Sequence, residues 1–261
     1  MSNRNRFFSS SNPFLSDSAI ERSTNSVNET QLVQGRAGHM TVSGAVNKSL
    51  IMGAILLGTG FVSASLSYEN PAAYMWLMWV GVIGGLISVL IASFRPTTAP
   101  ISAPLYAAFE GLALGTISGV YAKILYPGVV INSVLLTMLA LFTMLVLYRT
   151  GIIKPTEKFK SIVMTATGAI AVIYLANMVM HMFGSGIPYL HQMNPIGIGI
   201  SLLVIGVASL NLILDFDQFE KGEQAQAPKH YEWLAALGLM VTLVWLYIEI
   251  LRLVAMFSGR D

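Results

Sequence analysis

Residues 233–257 read WLAALGLMVTLVWLYIEILRLVAMF, a run in which Glu249 and Arg252 are the only formally charged side chains. As a helix rising about 1.5 Å per residue, these positions extend beyond the ~30 Å hydrocarbon layer of a bilayer. Working back toward the N-terminus, six further apolar runs of comparable length occur: Ser49 to Leu66, Ala73 to Phe94, Ile101 to Tyr121, Val129 to Tyr148, Ile162 to Phe183 and Ile196 to Leu214. Helices satisfy their own backbone groups in lipid, so each run is expected to span as a helix. A soluble protein burying seven such helices would have almost no polar surface left. Composition agrees, with 54% of residues hydrophobic and only 11% charged, against a charged share of roughly 25% in soluble domains. The fold class expected is an all-α integral membrane protein, a seven-transmembrane-helix bundle.

Two regions follow from this pattern. Residues 1–46 are rich in Ser, Asn, Thr and Gly and have no apolar run, as in a disordered polar tail. They lack the early apolar core of a secretory signal, so the first span is expected to stay in the mature protein. Residues 47–261 form the transmembrane domain. Its connections are short, and the longest, about Asp215 to Glu232, reads as a polar loop. With the N-terminus cytoplasmic, the inner segments hold Arg4, Arg6, Arg22, Arg36, Lys48, Arg95, Arg149, Lys154, Lys158, Lys160, Lys221 and Lys229, leaving Lys123, Arg252 and Arg260 for the outer half. The positive-inside rule therefore sets the orientation. Tyr68, Tyr74, Trp76, Trp79, Tyr121, Tyr126, Tyr148, Tyr189, Tyr231 and Trp233 fall mostly near span ends, as an interfacial belt does.

Several function classes are disfavoured. A net charge of +2 gives no basic face for a phosphate backbone, so nucleic acid is not an expected partner. With no cysteine there is no disulfide, thiolate nucleophile or Cys-ligated metal. HExxH, GxSxG and phosphate-loop motifs are missing, and His39, His181, His191 and His230 lie on separate segments. Asp215 and Asp217, two residues apart, do not suit an intramembrane aspartyl protease. The chain is expected not to be an enzyme and to need no cofactor.

The informative residues are the few ionisable groups inside spans, where a charge needs a partner or a water-lined cavity. Glu110 lies midway along the third span, Asp215 closes the sixth, and Glu249 and Arg252 lie in the seventh. These carboxylates could line an ion or proton path. Equally, Glu249 and Arg252, at i and i+3, could neutralise one another. Ala107, Gly111, Gly115 and Gly119 form a small-residue stripe that admits a close neighbouring helix. Asn211 and Ser201 fall near the Asp215 face as a sparse polar track, Ser209 lies off it, and Asn177 and His181 make a smaller polar face. For Ser201, Ser209 and Asn211, plain interhelical hydrogen bonding accounts equally well.

Three segments carry a resemblance: APLYAAFEGLALGTISGVYA (103–122), LDFDQFEKG (214–222) and APKHYEWLAALGLMVTLVWLYIEILRL (227–253). They are similar to the bacterial branch of the Bax inhibitor transmembrane family. The resemblance implies a bacterial inner (plasma) membrane location, a seven-helix fold with the last helix near its centre, and a pH-sensitive calcium leak channel. It further implies an acidic latch between helices six and seven, in which two acids share a proton. Asp215 matches the first acid and Glu249 is matched to the second, so these two would be the transient ligands of permeant calcium. The chain departs from the pattern in having Glu for the usual Asp. Helical rise also sets Glu249 roughly 24 Å along a helix starting at Trp233, far from Asp215. Either residues 216–232 extend both helices and lower Glu249, or Glu232 partners Asp215 and Asp217. Two carboxylates sharing a proton titrate as a unit, which makes such a latch pH-sensitive. The alternatives are a non-conducting regulator that binds other membrane proteins, such as a protease or stress-response modulator, and a proton-coupled transporter with a cavity at Glu110.

Overall fold

A computed structural model describes residues 38–184 and 194–258. Arg4, Arg6, Arg22, Arg36, Tyr189, His191 and Arg260, singled out from sequence, lie outside them. Seven α-helices follow one another: α1 (Val42–Glu69), α2 (Pro71–Phe94), α3 (Ala99–Ile124), α4 (Gly128–Arg149), α5 (Glu157–Met182), α6 (Pro195–Gln224) and α7 (Tyr231–Ser258). A short 3₁₀ turn, Pro96–Thr98, precedes α3. Every apolar run falls within one helix, except that α5 stops one residue short of Phe183. Local chemistry marks the helix starts. Thr41 accepts from the Gly44 amide at α1, Thr156 from Phe159 at α5, and Asn194 from Gly197 at α6, where Pro195 occupies the first turn.

Six helices are long and apolar enough to cross a membrane. The exception is α3, which is 26 residues long but diluted by Gly, Ala and Ser. Its composition follows from its neighbours, because it packs along α1 and α2 and touches α4 and α7. A Cβ on Gly115 or Gly119 would overlap the α1 backbone at Gly60 or Ala64. The expected small-residue stripe is therefore the α1–α3 contact. Across it, the Ser63 hydroxyl meets the Leu112 carbonyl and the Thr116 hydroxyl, each at 2.8 Å.

Helix directions alternate. Lys123 Nζ donates to the Glu69 carbonyl at 3.1 Å, placing the ends of α1 and α3 together. Glu232 meets Thr41, placing the starts of α7 and α1 together. Lys160 and Asp217 bring the start of α5 to the end of α6. One face of the bundle thus carries the first residues of α1, α3, α5 and α7; we call it the near face. The most apolar window of α7 is 72% buried, against 39% for α6 and 17–22% for the other four candidate spans. This difference makes α7 the central helix. Leu246 of α7 is almost fully buried, as are Leu212 and Met52 on neighbouring helices, and Ser118 meets the Tyr247 hydroxyl at 2.6 Å.

Two boundaries differ from the sequence expectation. The domain starts before residue 47: α1 begins at Val42, and residues 38–41 are already folded against the rest. The polar segment from Asp215 is not a loop, since α6 continues through DFDQFEKGEQ to Gln224 and only residues 225–230 connect it to α7. A helix that leaves lipid keeps its internal hydrogen bonds and loses only its need for apolar side chains, so the change in polarity marks the membrane surface, not the helix end.

Candidate functional site

Because α6 runs nine residues beyond Asp215, that side chain lies inside the helix, not at its end. It faces α7 at a narrow place. A Cβ on Gly238 would stand 3.6 Å from Asp215 Oδ1. The Thr242 hydroxyl lies in hydrogen-bond reach of both the Asp215 carboxyl and the Gly238 carbonyl, the latter at 3.2 Å. Asp215 Oδ2 is buried with no hydrogen-bond partner among the described residues. None of the ion pairs among those residues includes Asp215. Asp215 is thus a half-buried acid with one carboxylate oxygen shielded and no counter-charge among the described residues.

The other acids have separate partners. Glu249, fully buried, receives hydrogen bonds from the Tyr174 hydroxyl at 2.8 Å and from Arg252 Nη1 at 3.1 Å. Arg252 also reaches the Tyr174 hydroxyl at 3.3 Å and lies over that ring. The i, i+3 pairing weighed from sequence is present, with Tyr174 of α5 as a third member that the sequence did not disclose. Glu232, also fully buried, accepts from Lys229 Nζ at 2.7 Å and from the Thr41 amide and hydroxyl at 3.0 and 3.1 Å. It therefore caps α1, and a Cβ on Gly44 would overlap its carboxylate. Asp217 bridges Lys160 and Lys221 at 2.9 Å each. Glu110 accepts weakly from Tyr106 at 3.4 Å and faces Gly85 of α2.

The anticipated pair of acids does not meet. Thr242 and Glu249 are seven residues apart on α7, about 10 Å of rise, and Glu232 lies about 9 Å to the other side of Gly238. Extension of α6 and α7 toward the near face does occur. It lengthens both helices together, so it leaves Glu249 as distant as before. Where the latch was expected to place a second acid, α7 presents Gly238 and Thr242. Asn211 turns toward α5, donating to Thr167 Oγ1 at 2.7 Å. Ser201, Ser209 and Asn177 are buried and His181 is exposed. Among the described residues no group of three His, Asp or Glu side chains is arranged to hold a metal ion.

The clasp at the near face was missed from sequence. Met40 N donates to the Ala227 carbonyl at 2.7 Å, Lys229 N to Gly38 at 3.2 Å, and His39 Nδ1 lies 2.8 Å from the Gln226 carbonyl. Thr41 and Glu232 were the only signals, and nothing in their spacing links positions so distant.

These features define a polytopic all-helical membrane protein built around a buried final helix that carries unusual acids. The Bax inhibitor 1-like family profile matches residues 12–259, and the chain belongs to that family. No curated protein matches the chain in sequence.

Proposed function

We propose that this protein is a proton-responsive cation leak, with calcium as the favoured ion, gated by Asp215 at the α6–α7 interface. The observation that carries the proposal is a half-buried carboxyl with a shielded Oδ2 and no ion-pair partner among the described residues, set against Gly238 and Thr242 of the central helix. Protonated, it is neutral and sits comfortably in that narrow contact. Ionised, it is an uncompensated charge in low dielectric, a cost that admitting water and a cation relieves. Carboxylate and threonine oxygens suit a hard cation such as calcium. The family resemblance points to the same ion and to the same position on helix six. Thr242 takes the place of a second acid, so the gate is a single carboxyl and not a shared-proton pair.

The near face carries Lys48, Arg95, Lys154, Lys158, Lys160 and Lys229. We assign it to the cytoplasm by the positive-inside rule, in a plasma membrane. Purified protein in liposomes loaded with a calcium dye provides the test. Flux should rise as pH is raised and Asp215 gives up its proton. Asp215→Asn, permanently neutral, should stay at the low level across the range. A pH profile unchanged in that variant would dismiss Asp215 as the gate.

A further inference from the structure

The inward residues of α5 repeat every three or four positions: Lys160, Val163, Thr167, Ile170, Tyr174 and Asn177. The seven-residue set within this stripe is polar, and each member bonds outside its own helix. Lys160 pairs with Asp217 at 2.9 Å, Thr167 accepts from Asn211 at 2.7 Å, and Tyr174 donates to Glu249 at 2.8 Å. From Lys160 to Asn177 the stripe rises about 26 Å, close to the thickness of the hydrocarbon layer. The lipid side of α5 is the apolar one, with Ile162, Val172 and Leu175 all exposed. Among the described residues, α5 packs its backbone against α6 alone and reaches α7 through the Tyr174 ring.

We infer that this α5 seam is a water path, held shut by Val163 and Ile170. Simple interhelical bonding would explain Thr167 and Asn211. It does not explain the fully buried Glu249 with Arg252 at the far end of the stripe, since ionised groups at membrane depth mark water-lined routes; Lys160 with Asp217 stands at the membrane surface, where the stripe opens. Nor does it explain the cavity of about 430 Å³ at the near-face end, lined by Lys160, Asp217, Lys221, Met164 and Leu214. That cavity is a vestibule at the mouth of the seam. Val163 and Ile170, 2% and 8% exposed, are the apolar rungs between the polar ones. Constrictions of this kind close by expelling water. Asp215 lies on α6 between the rungs Asn211 and Asp217, turned to α7, so its ionisation would act beside the seam.

The inference rests on the leak proposed above, and the experiment separates the two. The chain has no cysteine, so single cysteines can be introduced directly into the full-length protein in liposomes. Thr167→Cys and Ile170→Cys should react with a membrane-impermeant thiosulfonate reagent, while Val172→Cys and Leu175→Cys, facing lipid, should not. Thr167→Cys loses a γ-methyl and exchanges the hydroxyl for a thiol, so its helicity is measured alongside the labelling. In parallel, Ile170→Ser should raise calcium flux several-fold, whereas Val172→Ser should leave it unchanged. If the thiol of Thr167→Cys is as protected as that of Val172→Cys, the water path is wrong, even where calcium flux is normal. Labelling of both Thr167→Cys and Ile170→Cys without flux in any variant would retain the path and remove the leak.

Discussion

The α1–α3 contact permits a test in which one substitution gives opposite results at two sites. At Gly115 a new Cβ would stand 2.8 Å from Gly60 Cα and 2.9 Å from Gly60 C, with the carbonyl oxygen closer still. Ordinary carbon contacts lie near 3.5–4.0 Å, so α1 and α3 must part by about 1 Å, which forfeits a quarter to a half of the dispersion at each pair affected. The obstacle is backbone, which has no rotamer to move aside. Overpacking of this kind costs about 1–3 kcal/mol. Gly168 on α5 has nothing within 4 Å of a new Cβ. There, alanine brings only the usual gain over glycine in a helix, about 0.5–1 kcal/mol. The helix gain applies at both positions and cancels in the comparison. Gly115→Ala should therefore be less stable than Gly168→Ala by the packing cost alone, about 1–3 kcal/mol. Reversible unfolding in mixed micelles, followed by helicity and by the fluorescence of the tryptophans on α2 and α7, measures the difference. Equal stability of the two variants would refute the close α1–α3 contact.

Arg252→Met leaves Glu249 buried with Tyr174 as its main remaining donor, and should cost about 3–5 kcal/mol in the same assay. Replacing both members, Glu249→Leu with Arg252→Met, should recover most of that loss, because no charge is then stranded. At the near face, Glu232→Ala removes the cap on α1 and should cost about 1–2 kcal/mol. Hydrogen exchange should then accelerate at the amides of Thr41 to Ala45 and not at the centre of α7. Gly44→Ala should reproduce that local exchange pattern by displacing the Glu232 carboxylate, while Glu232→Gln should retain much of the protection.

The helices were legible because lipid demands long apolar runs, and the stripe at Ala107, Gly111, Gly115 and Gly119 was legible because small residues at four-residue spacing have few other uses. The end of α6 was not. Beyond Leu214 the chain turns polar, which reads as a loop, yet Phe216 and Phe219 are buried and keep the helix packed. Site acids were visible singly and their partners were not. Arg252 lies one turn from Glu249 and could be read; Tyr174, 75 positions away, could not. Thr242 looked like one more residue in an apolar run, although it is the group that meets Asp215. The seam on α5 had a signal in the seven-residue step from Lys160 to Thr167 to Tyr174, obscured because hydrophobicity marks the lipid side of that helix.

The clasp between residues 38–41 and the α6–α7 connection has a bearing on how the protein is made. Its two halves are separated by some 190 positions, so the first helix enters the bilayer long before its fastening exists. Until α7 is inserted, α1 lacks the Glu232 cap and α6 lacks the helix that covers Asp215. A bundle without α7 therefore leaves two polar groups, the Thr41 amide and the Asp215 carboxyl, without the surroundings that the full fold gives them.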